Sequence, residues 1–189
     1  MRRGASGSFE AASFAFCMLS AGVLLARPAS ASDGEPGADA AALAGYGVSS
    51  GVNVIGPGLG LRLGMITEPG VYLGILGLVH FGSSDPGEPD VRHDSQSVRL
   101  ELGYEIDLGP LDLRPALRGG FTHVRTPRDI DGRFWSPDVG VGATVLVHLD
   151  GPFLGFDVDA RFLTHLVENG DTAFGIAGIA GYWVVGYRF

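Results

Sequence analysis

The residues able to do chemistry fall on alternate positions. Arg99, Glu101, Glu105 and Asp107 share one parity, and Asp112, Arg114 and Arg118 share another after a turn. Asp157, Asp159 and Arg161 form a third series, and Arg62 stands between Leu61 and Leu63. Carboxylates gathered in a dry space can act as general acid and base. Carboxylates mixed with arginines can instead neutralise one another, because a guanidinium keeps its charge when buried and meets a carboxylate in a forked pair. The chain contains no lysine, so every fixed side-chain cation is an arginine. The mixed signs favour a structural network of ion pairs. A gated ion path along the same residues is the sharper alternative. Catalysis would need a pocket that admits substrate, and no stretch of the sequence marks one.

Other candidate chemistry is thin. His80, His93, His123, His148 and His165 show no metal-ligand spacing between any two. His93-Asp94 lies in a polar stretch with Asp85, Glu88 and Asp90. These acids could gather a divalent cation, but they lack the register of a calcium loop. Gly56-Pro57-Gly58-Leu59-Gly60 opens no helix and is not a phosphate cradle. The sequence therefore predicts no cofactor and no metal.

Alternating charges imply strands, since successive side chains of a strand point to opposite faces. Val98, Leu100, Leu102, Tyr104 and Ile106 interleave the first charged series, which makes one apolar and one polar face. The same holds for Leu111 to Arg118, although Pro115 there removes a ladder hydrogen bond. Leu59 to Met65, Val71 to Ile75, Val139 to Leu149 and Leu154 to Phe162 repeat the pattern. The last stretch alternates as well, with Ala177, Ile179, Gly181, Trp183, Val185, Tyr187 and Phe189 on one face. An apolar strand ending without a turn is an open edge, and pairing with the first strand removes it.

Tight turns at Glu68-Pro69-Gly70, Leu108-Gly109-Pro110 and Asp150-Gly151-Pro152 alternate with longer polar connections. Those connections are Gly82 to Gln96, Arg125 to Pro137 and Val167 to Asp171. Short turns at one end and long loops at the other is the pattern of an outer-membrane barrel. Seven strands are plain. An even number requires an eighth, placed in Leu43 to Gly51 with a short loop through Gly56-Pro57-Gly58.

The N-terminus has a basic start, Met1-Arg2-Arg3, an apolar run from Ala11 to Ala26 and small residues at Ala29-Ser30-Ala31. That order predicts a cleaved signal peptide over 1–31. A flexible leader over 32–42 and a barrel domain over 43–189 follow. The one cysteine, Cys17, falls within the signal peptide, so no disulfide is expected in the mature chain. Removing 1–31 takes away Arg2, Arg3, Arg27 and Glu10 and moves the formal charge from −8 to −10. Such an acidic chain offers no footprint for nucleic acid.

With the terminal Tyr187-Arg188-Phe189, the chain resembles the small eight-stranded outer-membrane barrels of OmpA/OmpX type. It departs from their terminal signal at Val184, where that signal usually has glycine. The resemblance implies an all-β, eight-stranded antiparallel up-and-down transmembrane β-barrel after a cleaved signal peptide, located in the outer membrane. It implies that Trp183, Tyr187 and Phe189 form the C-terminal signal read by the barrel assembly machinery. Periplasmic chaperones, outer-membrane lipid and lipopolysaccharide are the expected partners, and the barrel is expected as a monomer. The charged face, Arg62, Arg99, Glu101, Glu105, Asp107, Asp112, Arg114, Arg118, Asp157, Asp159 and Arg161, would then line the interior. Aromatics near strand ends fit interfacial girdles: Tyr72, Phe153, Tyr187 and Phe189 by the turns, and Phe81, Phe121, Phe134 and Trp135 by the loops.

The expected function is a non-enzymatic, structural or surface-interacting membrane barrel. Two other readings stay open. Outer-membrane lipid A deacylases carry a histidine where His165 falls, but Leu166, Val167 and Glu168 follow it, with no serine. A soluble periplasmic calyx of lipocalin type would use the same alternation, with the apolar face inward and the charges in water.

Overall fold

The computed structural model describes residues 36–50, 54–67, 69–82, 84–85, 88–92, 94–125, 133–166 and 172–189. The signal peptide expected over 1–31 and the connection expected over 167–171 lie outside the described residues. The described strands are β1 Gly37–Ser49, β2 Pro57–Thr67, β3 Val71–His80, β4 Ser84–Asp85, β5 Glu88–Arg92, β6 Asp94–Tyr104, β7 Ile106–Asp107, β8 Asp112–Arg125, β9 Arg133–His148, β10 Pro152–Leu166 and β11 Thr172–Arg188. Strands β4 and β5 form a small ribbon of their own. The others make one antiparallel sheet in the order β6-β3-β2-β1-β11-β10-β9-β8-β7, and β6 also pairs with β8. That last pairing closes the ring. With β6 and β7 counted as one interrupted strand, the wall has eight strands.

Closure runs through the two ends of the chain. β1 meets β11 from Asp39↔Arg188 to Ser49↔Gly178. The Phe189 N–H donates to the Ala38 carbonyl at 2.9 Å and fastens the end of β11 to the start of β1. Here the expected leader is corrected. Residues Gly37 to Ala42 belong to the wall and not to a flexible segment. Their run of small residues fits either face of a sheet, so alternation was faint there. The longer connections are shortened in the same way. Asp94 to Gln96 fall in β6 and Arg133 to Pro137 fall in β9.

The turns explain their residues. Asp150 and Gly151 both have positive φ, 54° and 111°, as a two-residue hairpin of matching twist requires. The Leu149 N–H closes that turn on the Pro152 carbonyl at 2.8 Å. Pro115 sits where the ladder between β6 and β8 lapses, between Gly103↔Ala116 and Ile106↔Leu113. Proline has no N–H to contribute. The Glu105 N–H is not stranded by the gap, since it donates to the Gly70 carbonyl at 2.8 Å.

The two faces of the wall are inverted relative to a water-soluble protein. Leu61, Leu63, Ile75, Val98, Leu100, Leu102, Leu117, Val139, Val141, Val158, Ile179 and Val185 all point outward and are exposed, Leu100 by 65%. Arg62, Arg99, Arg114, Arg118, Asp157 and Asp159 point inward and are buried, Arg99 and Asp157 completely. An apolar belt of this extent cannot face water, and hydrocarbon is the medium that suits it. The soluble calyx required the opposite orientation.

Candidate functional site: a charged lumen under an apolar cap

The interior side chains come in tiers, because inward residues on antiparallel neighbours fall at matched heights. At the end bearing the tight turns, Arg114 bridges Asp39 at 2.8 Å and Glu105 at 2.6 Å. Its guanidinium lies 3.8 Å from the centre of the Tyr72 ring, a cation–π contact out of reach of bulk water. Arg188 reaches Glu105 at 2.7 Å and Asp112 at 3.5 Å, and His148 meets Asp112 at 2.6 Å.

The middle tier is the most tightly connected. Arg118 Nε donates to Glu101 at 2.7 Å, Nη2 to Asp157 at 2.6 Å and Nη1 to Asp159 at 3.0 Å. Arg62 holds Glu101 and Asp157 from the other side, each at 2.9 Å. The Thr144 hydroxyl donates to Asp157 and accepts from Arg62 Nη1 at 3.2 Å. This packing depends on glycines opposite. A Cβ on Gly142 would lie 2.3 Å from Arg118 Nη1, so the glycine makes room for the guanidinium.

Above it, Arg99 pairs with Asp159 at 2.7 Å and Asp138 at 3.3 Å, and Arg161 Nε pairs with Asp159 at 3.0 Å. Arg161 Nη2 donates to the Tyr182 hydroxyl at 2.8 Å, which leaves the phenol hydrogen for His80 Nε2 at 2.7 Å. Over this tier lies an apolar lid. Val54 and Ile55, from the β1–β2 connection, fold inward and are 1% exposed, beside Val124, Leu163 and Ile176. The Ser95 hydroxyl holds the lid by donating to the Val54 carbonyl at 2.7 Å. A Cβ on Gly178 would lie 2.3 Å from Ile55 Cδ1, so this glycine seats the lid.

Of the eleven residues expected inside, nine are buried: Arg62, Arg99, Glu101, Asp112, Arg114, Arg118, Asp157, Asp159 and Arg161. Glu105 is half-buried and joins the lowest tier. Asp107 is a correction, being exposed on β7 beyond the lumen. Its carboxylate accepts the Gly109 N–H at 2.6 Å and shapes the turn. Tyr72 and Phe153 are corrections of another kind. Both point into the lumen, at 0% and 2% exposure, and not into a girdle. Strand parity was the available signal, since each sits one residue out of phase with the outward series.

Asp39, Asp138, Thr144, His80 and Tyr182 complete the network without having been expected in it. Asp39 was hidden in the poorly patterned first strand, and Asp138 sat at the edge of an expected loop. The terminal residues take separate places. Trp183 is 71% exposed on the outer face, packed edge-on against Phe156 at 5.4 Å between ring centres. The Tyr187 and Phe189 rings meet at a tilt, with centres 5.1 Å apart, at the end bearing the tight turns. Among the described residues no group of three His, Cys, Asp or Glu side chains converges as metal ligands.

A closed eight-stranded wall with aliphatics outside and charges inside defines a small transmembrane β-barrel. This chain belongs to the outer membrane protein β-barrel domain family, which it matches over residues 14–189. The protein is thus an outer-membrane barrel. Solved structures agree on the fold. Neisserial surface protein A is 14% identical with a TM-score of 0.55, over 81% of this chain and 95% of that one. The N-terminal β-barrel domain of Pseudomonas aeruginosa OprF is 17% identical with a TM-score of 0.51, over 83% and 100%. A major outer membrane protein from Thermus thermophilus is 13% identical with a TM-score of 0.52, over 82% and 99%. No curated protein matches the chain.

Proposed function

We propose that this protein is a non-catalytic barrel with a structural or surface-interacting role, in which the lumen is a strut and not a path or a reaction site. One observation carries the reading. Arg62, Arg99 and Arg118 lie across the lumen with their carboxylates closed around them, and Val54 and Ile55 seal the end above. A substrate would have to displace buried ion pairs, whose separation is strongly unfavourable. The outer lipid, including lipopolysaccharide, is the surrounding partner, and the protein works as a monomer. Trp183, Tyr187 and Phe189 serve as the signal that periplasmic chaperones and the assembly machinery bind before closure, by strand addition to the unpaired edge of β11.

The test combines two measurements on the full-length protein. Planar bilayers should show no steady conductance, and lipid A from cells overexpressing the barrel should keep its mass. Steady ion conductance, or a lipid A mass change lost with a His165 substitution, would overturn the reading.

A further inference from the structure

The outer wall carries a feature that the lumen does not explain. On the outward face of β8 the series Leu117, Gly119, Phe121, His123, Arg125 climbs toward the loop end. Gly119 leaves a gap in the apolar belt. A Cβ there would find nothing nearer than the Asp138 carbonyl at 3.9 Å, so glycine is not required by packing. The gap opens a cleft of about 560 Å³, walled by Val98, Leu100, Phe121 and Trp135. Phe121 and Trp135 are 58% and 67% exposed, and the His123 ring leans on Trp135 with centres 5.0 Å apart.

Arg125 stands directly above. Among the residues whose side chains the structure describes, it is the one exposed arginine; the others are buried or half-buried in the lumen. Asp94, opposite it on β6, is half-buried. Four residues of strand at about 3.3 Å each, tilted by roughly 40°, lift Arg125 about 10 Å above Phe121. A headgroup layer is roughly 5–7 Å deep, so that rise carries Arg125 from the hydrocarbon edge to the outer side of the headgroups. Read outward, the order is aliphatic cleft, aromatic girdle, imidazole and guanidinium.

We infer that this strip seats one phosphorylated, multi-acyl lipid of the outer leaflet, with an acyl chain in the Gly119 cleft and a phosphate on Arg125 beside His123. The cleft is continuous with the lipid-facing belt, which fixes the occupant as a membrane lipid. The exposed cation on so acidic a chain selects an anionic headgroup, and a guanidinium meets phosphate in a fork. The inference rests on the proposed contact with lipopolysaccharide and not on the proposed role of the lumen.

The probe is bis-phosphorylated hexa-acyl lipid A, with phosphatidylethanolamine for comparison. Both are titrated onto the full-length folded protein in mild detergent and followed by native mass spectrometry. Lipid A should bind well above phosphatidylethanolamine. Arg125→Gln should weaken lipid A binding about tenfold, and Arg125→Lys should restore part of it. Gly119→Phe should fill the cleft and weaken binding by a similar factor. Gly77→Phe is the matched control, because Gly77 on β3 also has nothing within 4 Å of its Cβ but lines a different stretch of wall. Folding of each variant is read from heat-modifiable mobility in SDS. Equal binding of the two lipids, unchanged binding in folded Arg125→Gln and Gly119→Phe, or equal loss in Gly77→Phe would each overturn the assignment.

Discussion

Arg118 offers the sharpest test of the lumen as a strut. Its three donors reach Glu101, Asp157 and Asp159 at 2.6 to 3.0 Å, and its side chain is 1% exposed. Arg118→Gln removes one cation and leaves three carboxylates short of a partner. None is fully orphaned, because Arg62 still holds Glu101 and Asp157, and Arg99 and Arg161 still hold Asp159. Breaking a buried pair costs ~3–5 kcal/mol, and the retained partners place this variant toward the lower end. With a urea slope of ~2 kcal/mol per molar, the unfolding midpoint should fall by ~1.5–2 M. Trp135 and Trp183 face the lipid, so their fluorescence in vesicles reports unfolding directly. Arg188→Gln is the comparison. The Arg188 side chain lies nearer water, 14% exposed against 1% for Arg118, so the same loss of charge should cost less. The double variant Arg118→Gln/Glu101→Gln should lose less than the sum of its single changes, since it removes both ends of one pair. Equal midpoints for Arg118→Gln and Arg188→Gln would refute the reasoning, because they would mean that water screens the middle of the lumen as it does the rim.

The remaining predictions concern assembly, orientation and the seam. Deleting Phe189 should reduce the heat-modifiable protein recovered from the outer membrane and leave the chain degraded or aggregated in the periplasm, while Phe189→Tyr should be mild; wild-type recovery from the deletion would remove Phe189 from the assembly signal. Epitope tags within 86–93 or 126–132, between the wall strands, should be labelled on intact cells, and tags at Gly70 or Gly151 should not; equal labelling at both ends would overturn the topology. Gly45→Ala should destabilise the closing seam by ~1–3 kcal/mol, since its Cβ would lie 2.0 Å from the Gly181 carbonyl oxygen. Gly77→Ala, in open space, should shift the urea midpoint little, and similar losses for both would show that the seam is not tightly packed.

The sequence alone determined seven of the eight wall strands, their two faces and the grouping of turns at one end. Period-two alternation is a local property, and Val98 to Ile106 displays it without help from any other part of the chain. It also marked most of the lumen charges, because residues of one parity in one strand must share a face. The alternation was silent about which face turns inward, since curvature belongs to the whole sheet and not to a strand. Closure decided that, and with it the choice between a lipid-facing belt and a soluble calyx. Register decided the partners. Asp39 reaches Arg114 only because β1 starts early and the ring brings β8 across from it, 75 residues away in sequence. Val54 and Ile55 carry no periodic signal, and their burial as a lid depends on the space that Gly47 and Gly178 leave on two neighbouring strands. Such contacts are fixed by the distances that the closed ring sets between its walls, and no local pattern encodes them.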